Sequence, residues 1–413
     1  MQRLFIHIAE LGGLHTNMAP LRGEELAQWP HLRDAWLLTQ DDQIAAFGTM
    51  QELTDTQRRQ ADDVIDVAGG LLLPGFIDAH THLVHAGSRE HEFVMKLQGA
   101  NYASIAAAGG GILSTAKAVQ AASEDELYEL AWQRLQLAMQ QGTVGLEIKS
   151  GYGLSVTDEL KMLRVIQRLR QAAPIPIKAT LLGAHAIPPG YQTRREAWVQ
   201  IVLQELLPAA AEAGLADYVD VFCEEGFFSV DDMLAIINAG KQHGLAARVH
   251  VNQLTDHGAL EAAVAAGAHT VDHLEQMSAT AIERLGLSDT MGVLLPTAAW
   301  FLRLPFPPAR QLIAAGAAIA LASDFNPGSS PSSNMHWVLA LACVQMKMTP
   351  AEAWNAASFN AACSLGLQHE LGSIAVGKKA SFIVSRPMPS LQYWPYAFGS
   401  QHIAQVYVNG QPV

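Results

Sequence analysis

Between residues 75 and 324 the chain repeats one pattern eight times, a short β-rich run followed by a helical stretch. The runs are GFIDAHTH (75–82), TVGLEIKSG (143–151), IPIKATLLGAH (175–185), DYVDVFCEE (217–225), LAARVHVNQ (245–253), HTVDHLE (269–275), MGVLLPT (291–297) and AAIALASD (317–324). Between them lie stretches of helical periodicity such as EDELYELAWQRLQLAMQQG and VDDMLAIINAGKQHG, and these end on Gly as a helix C-terminus favours. The runs are nearly continuous in apolar residues, which marks parallel strands buried on both faces. Eight such units predict an α/β fold, a (β/α)₈ barrel. A doubly wound open sheet would alternate in the same way. The barrel is favoured by where the unusual polar residues fall: His80 and His82, Glu147 and Lys149, His185, Glu224, His250, His273 and Asp324 all stand at strand ends. Barrel enzymes assemble their sites on that rim.

The flanks differ. Residues 1–70 and 369–413 carry β-like segments with turn residues, and IAQVYVNGQPV contains an Asn-Gly hairpin signal. A chain of 413 residues exceeds one ordinary core. The two ends are therefore expected to pair into a small β-sandwich domain interrupted by a barrel of residues 71–368. A formal charge of −13 with no basic cluster argues against a nucleic-acid partner. Three widely spaced cysteines, without a CxxC pair, argue against a disulfide framework or a zinc ribbon. The start MQRLFIHIAELGG lacks the features of a signal peptide, and the longest apolar run, 312–322, is too short to span a bilayer. The expectation is a cytoplasmic protein with no membrane partner.

Asp78, His80 and His82 alternate along the first run and so share a face, from which both imidazoles can reach one cation. A lone HxH fits a hydrogen-bonded strand end equally well. His250 and Asp324, at two other strand ends, turn the balance: three imidazoles and one carboxylate suit one Zn²⁺ or Fe²⁺ and leave room for a water. His85 and His91 fall past the strand and read as loop or helix-surface histidines. His273 lies one step round the rim from His250, where a histidine can shuttle a proton or polarise a carbonyl. Lys149 could bridge two metals if carboxylated, but it ends the second strand and the fourth ends in Glu224, so a role in hydrogen bonding or charge balance at the rim is expected instead. Arg89 can grip a carboxylate bidentately. The turn SDFNPGSSPSSN (323–334) offers donors to a ligand, and GGG (109–111) reads either as a flexible loop or as a point of close backbone approach.

Taken together, GFIDAHTHL, the fifth-strand and sixth-strand histidines and the eighth-strand Asp resemble the amidohydrolase superfamily in its mononuclear form. Within it, HTHLVHAGSREHEF, GGGILSTAKAV, EIKSGYGL, LLGAHAIP, DHLE, LLPTAAWFLR and ASDFNPGSSPS resemble the imidazolonepropionase family over about residues 60–385. The resemblance implies hydrolysis of the cyclic C–N bond of 4-imidazolone-5-propanoate to N-formimino-L-glutamate in histidine degradation. It implies one divalent metal per chain on His80, His82, His250 and Asp324. It further implies contacts to a small, carboxylate-bearing substrate from Arg89, Tyr152, His185, Gln253, Asn326, Gly328 and Ser329, and a homodimer. One departure stands out. The family usually places a carboxylate in the pair that follows the residue after the fifth-strand His, whereas this chain has HVNQL, with Asn252 and Gln253. An amide can orient a substrate but cannot take a proton, so Asp324 and His273 are the candidates for proton transfer beside Gln253. Two alternatives remain at this point: another mononuclear amidohydrolase, such as a deaminase of a nucleobase-like ring, and a catalytically impaired metal-binding barrel.

Overall fold

The computed structural model describes residues 1–99 and 110–413. Its centre is a sheet of eight parallel strands in chain order: Phe76–Asp78, Thr143–Lys149, Ile177–Ala184, Tyr218–Cys223, Ala246–Val251, Thr270–His273, Met291–Leu294 and Ile319–Leu321. Each falls inside one of the eight runs read from the sequence. The first strand's ladder stops at Asp78 rather than His82. Beyond it the seam between first and last strands is closed by other means. Thr81 bridges Phe325 in parallel, and the His82 N–H donates to the Phe325 carbonyl (2.9 Å). Asp78 accepts from the Ser323 N–H (2.9 Å) and from its hydroxyl (2.5 Å). The sheet thereby becomes the expected barrel. Helices pack outside it with apolar faces inward, and Ser caps with Glu or Asp three residues on start Glu124–Gln140 and Val230–Gln242.

The chain ends meet in a second sheet, also of eight strands. Gly70–Pro74 pairs antiparallel with Phe382–Pro387 and parallel with Gln2–Gly12, so the N-terminal and C-terminal segments share one ladder. Phe5 meets Phe382 and Tyr407 edge-on, and those two rings lie tilted against each other, with centroids 4.9–5.3 Å apart. Asn409 and Gly410, both at positive φ (50° and 74°), make the hairpin turn that the Asn-Gly pair signalled. Among the described residues no helix is long and apolar enough to cross a membrane.

Two buried asparagines fasten the N-terminal segment to the barrel. Asn360 donates to the carbonyls of Leu21 (2.9 Å) and Ile319 (2.8 Å) and accepts from the Leu21 N–H (2.8 Å). Asn355 donates to the carbonyls of Leu26 and Gln28 and meets His15 Nε2 at 2.9 Å. An amide is suited to this because it donates and accepts at once. Replacing Asn360 by Ala orphans three buried backbone groups and is expected to destabilise the fold by about 3 kcal/mol. Urea denaturation checks this, and an unchanged midpoint would mean that the joint carries no load.

Candidate active site

Four side chains from three strand ends converge at the top of the barrel. Ring nitrogens of His80, His82 and His250 lie within 4.8 Å of one another, and Asp324 Oδ1 is 3.4 Å from His80 Nε2 and 3.6 Å from His82 Nε2. All four residues are buried. His80 Nδ1 meets Asp272 Oδ2 at 2.7 Å, and His250 Nδ1 lies 2.9 Å from Asp220 Oδ2. Asp272 holds the Nδ1 side of His80, leaving its Nε2 as the free lone pair, whereas His250 Nδ1 has the Asp220 carboxylate beside it but no hydrogen-bond partner among the described residues. Both Nε2 atoms are buried, with no hydrogen-bond partner among the described residues. Bare imidazole nitrogens facing one another would be costly without an ion to share them. Burial, followed by the charge of Lys149 and the neighbouring imidazoles, pushes His80, His82 and His250 well below the ordinary range and keeps them neutral. The donor set therefore fits a divalent cation that accepts nitrogen and oxygen ligands.

Beneath this centre lies a charged network. Lys149 Nζ is 2.9 Å from Glu147 Oε1, 2.9 Å from Asp220 Oδ2 and 3.6 Å from Asp272 Oδ2. The Arg248 guanidinium lies 3.6 Å from Asp272 and donates to the Ala79 carbonyl (2.7 Å). Lys149 does balance charge, but its place differs from the expectation: it is fully buried, not on the rim. Burial opposes its charge, yet Asp220, Glu147 and Asp272 together raise its pKa, so it stays an ammonium and not a bridging carbamate. Glu224 is likewise engaged elsewhere, because it accepts from the backbone N–H groups of Gln253, Leu254 and Thr255 and from the Thr255 hydroxyl.

Above the ligands opens a cavity of about 380 Å³. Its wall includes His82, His250, His273 and Asp324 together with Arg89, Tyr152, His185, Gln253, Asn326, Gly328 and Ser329. His185 stacks on His82 with centroids 5.0 Å apart and lies 3.1 Å from the Gly151 carbonyl through Nδ1. Burial lowers its pKa to about 4. The glycines of SGYGL let the loop wrap Glu159, which accepts from the N–H groups of Gly151, Gly153 and Leu154. A Cβ at Gly153 would stand 2.3 Å from the Glu159 nitrogen. In the last turn, Asn326 spends its amide internally: it accepts from Gly328 and Ser329 N–H and donates to the Asp324 carbonyl and the Ser329 hydroxyl. Asn326 thus shapes the turn, while Gly328 lies against Arg89.

The departure at HVNQL resolves into two unlike positions. Asn252 adopts a left-handed conformation (φ 56°), donates to the Gln276 carbonyl (2.8 Å) and accepts on its own carbonyl from Gln276 N–H (2.7 Å). It is a turn residue between the fifth and sixth strands, in a conformation Asn tolerates well. Gln253 alone faces the cavity. His273 (φ 89°) and Asp324 (φ 50°) are also held left-handed, the kind of strain that gathers at functional sites. Burial would lower the pKa of His273, but Glu275, 3.3 Å from its Nδ1, and Asp324 outweigh burial and raise it to about 9.

His85 lies in a loop, one of the two places expected for it, but that loop is buried and its Nδ1 lies 2.9 Å from the His82 carbonyl. Burial, then nearby Arg134, lowers its pKa to about 3. His91 is exposed on the helix Glu90–Leu97. Of GGG, Gly109 lies outside the described residues; Gly111 has φ 81°, and its N–H donates to Glu92 Oε1 (2.8 Å). Sequence reading passed over Glu92, Asp220, Asp272 and Glu275. A carboxylate amid the apolar residues of DYVDVFC, or next to His in TVDH, was the available signal for the two aspartates. Glu92 gave none.

Residues 71–413 match the amidohydrolase family. An imidazolonepropionase of Flavobacterium johnsoniae is 48% identical over 396 residues, covering 96% of each chain. Another, of Christiangramia forsetii, is 46% identical over 395 residues, covering 96% of this chain and 95% of that one. The chain belongs to the imidazolonepropionases, within the amidohydrolase family. An adenosine deaminase of Xanthomonas campestris with bound zinc superposes with a TM-score of 0.67 at 15% identity, covering 99% of this chain and 92% of that one, a likeness of fold. If Asp272 holds a ligating imidazole, Asp272→Asn will weaken zinc binding about 10- to 100-fold while the chain stays folded. Competition with a chelator measures this, and undiminished affinity would remove His80 from the ligand set.

Proposed function

We infer that the chain opens the ring of 4-imidazolone-5-propanoate by hydrolysing its cyclic C–N bond, giving N-formimino-L-glutamate. The observation that carries this is one cavity whose wall holds both the metal-type donors and Arg89. A neutral nucleobase-like ring would leave that guanidinium without a role, which disfavours the deaminase reading. The intact donor set disfavours an impaired barrel.

A divalent cation, Zn²⁺ or Fe²⁺, on His80, His82, His250 and Asp324 would polarise the ring carbonyl and bring the pKa of a water down to about 7. Asp324 accepts the proton of the attacking water; its Oδ2 is steadied by the Ser329 hydroxyl at 3.3 Å. His273, charged through Glu275, donates to the oxyanion that develops at the ring carbonyl. The proton on Asp324 then passes to the departing ring nitrogen. Gln253 orients the ring through its amide, and His185 packs along one side of the site. Arg89 binds the propanoate carboxylate, with the Tyr152 hydroxyl beside it. The three cysteines are all free thiols, which supports a reducing cytoplasmic setting. The working form in this reading is a homodimer acting on a small anionic molecule, and the acidic net charge favours neither nucleic acid nor anionic membrane as a partner.

Purified protein is expected to open 4-imidazolone-5-propanoate with about one metal per chain, and prolonged chelation should abolish turnover. Arg89→Met should lower kcat/KM about 100-fold, because a buried charge-paired contact to the substrate is lost. Undiminished kcat/KM in that variant would place the substrate carboxylate elsewhere and overturn the assignment.

A further inference from the structure

Glu92 lies on the first turn of the helix Glu90–Leu97, is 7% exposed, and touches three parts of the site at once. Its Oε2 accepts from Arg89 Nε (2.8 Å) and lies 2.7 Å from Arg89 Nη2 as an ion pair. Its Oε1 accepts from the Gly111 N–H (2.8 Å) and the Ser114 hydroxyl (3.2 Å), at the opening of the helix Ile112–Ala121. Burial would raise its pKa, but these donors hold it below the ordinary carboxylate range.

A guanidinium has two edges that can grip a carboxylate, the side edge of Nε with one Nη and the end edge of both Nη atoms. Glu92 occupies the side edge. Among the described residues the end edge is left for a ligand, and Nη1 on that edge lies against Gly328, where a Cβ would come within 2.1 Å. A larger residue at 328 would fill the space the guanidinium uses. Both oxygens of Glu92 act only as acceptors, so its ionised form satisfies donors on both sides, which an amide with one acceptor oxygen cannot do.

Resting on the proposed reaction, we propose that Glu92 is a positioning residue for substrate recognition: it locks Arg89 with its end edge toward the cavity and ties that clamp to the start of the helix Ile112–Ala121. Its negative charge would by itself repel an anionic substrate. That repulsion is screened at a side chain still 15% exposed at Arg89, whereas the loss of orientation acts directly on the contact.

The test uses metal-loaded enzyme with two substrates, 4-imidazolone-5-propanoate and the same ring carrying a methyl in place of the propanoate. Glu92→Gln should lower kcat/KM for the first about 30-fold, mostly through KM, and for the second by no more than about threefold. Added to Arg89→Met, it should cost little further, because its effect passes through Arg89. Glu92→Asp, which keeps the charge but is too short to reach both sides, should fall between wild type and Glu92→Gln and serves if the amide variant folds poorly. Equal losses on both substrates, full additivity with Arg89→Met, or a lowered KM would each overturn the proposal. Wild-type turnover of the first substrate is read separately: without it the proposed reaction fails, and this inference with it.

Discussion

The site depends on one buried ammonium. Lys149 sits among Glu147, Asp220 and Asp272, and the two aspartates in turn contact His250 and His80. Without a cation at that depth, three carboxylates would face one another unpaired in a low-dielectric core, at a large cost in free energy. Asp272, paired from below, is the carboxylate that holds His80 in the tautomer that leaves Nε2 free. The geometry above the barrel floor is thus set by charge compensation below it, and Arg248 shares the task by facing Asp272 and Glu147. Such a network is costly wherever a member is left unpaired, and Asp220 Oδ2 and Arg248 Nε find ion-pair neighbours but no hydrogen-bond partner among the described residues.

The barrel was readable because parallel strands buried on both faces leave long apolar runs, and a polar residue inside such a run is conspicuous. His80, His82, His250 and Asp324 were visible for that reason. His85 was legible as a loop residue but its burial was not, because position relative to a strand says little about what a loop folds over; here the loop turns back and buries the ring against the His82 carbonyl. Glu92 was invisible for a related reason. It lies on a short helix among other charged residues, and its partners Gly111 and Ser114 are distant in sequence and carry no charge.

Asn252 shows how two neighbouring residues read together in sequence can part in structure. Sequence alone treats positions 252 and 253 as one pair. The backbone separates them, because a left-handed residue at 252 turns its side chain toward Gln276 and leaves only Gln253 at the cavity. Of the pair, one amide therefore reaches the cavity wall, and in the proposed reaction proton transfer falls to Asp324 and His273.

The seam that closes the barrel runs from Asp78 to Ser323 and from Thr81 to Phe325. The residues flanking it include His80, His82 and Asp324, from opposite ends of the barrel sequence. A chain emerging from the ribosome consequently possesses no complete ion-binding set until its last strand has docked against its first. In the proposed ion site, capture would report completed folding, and a bound ion would in turn act as a clasp on the joint between the first and last strands.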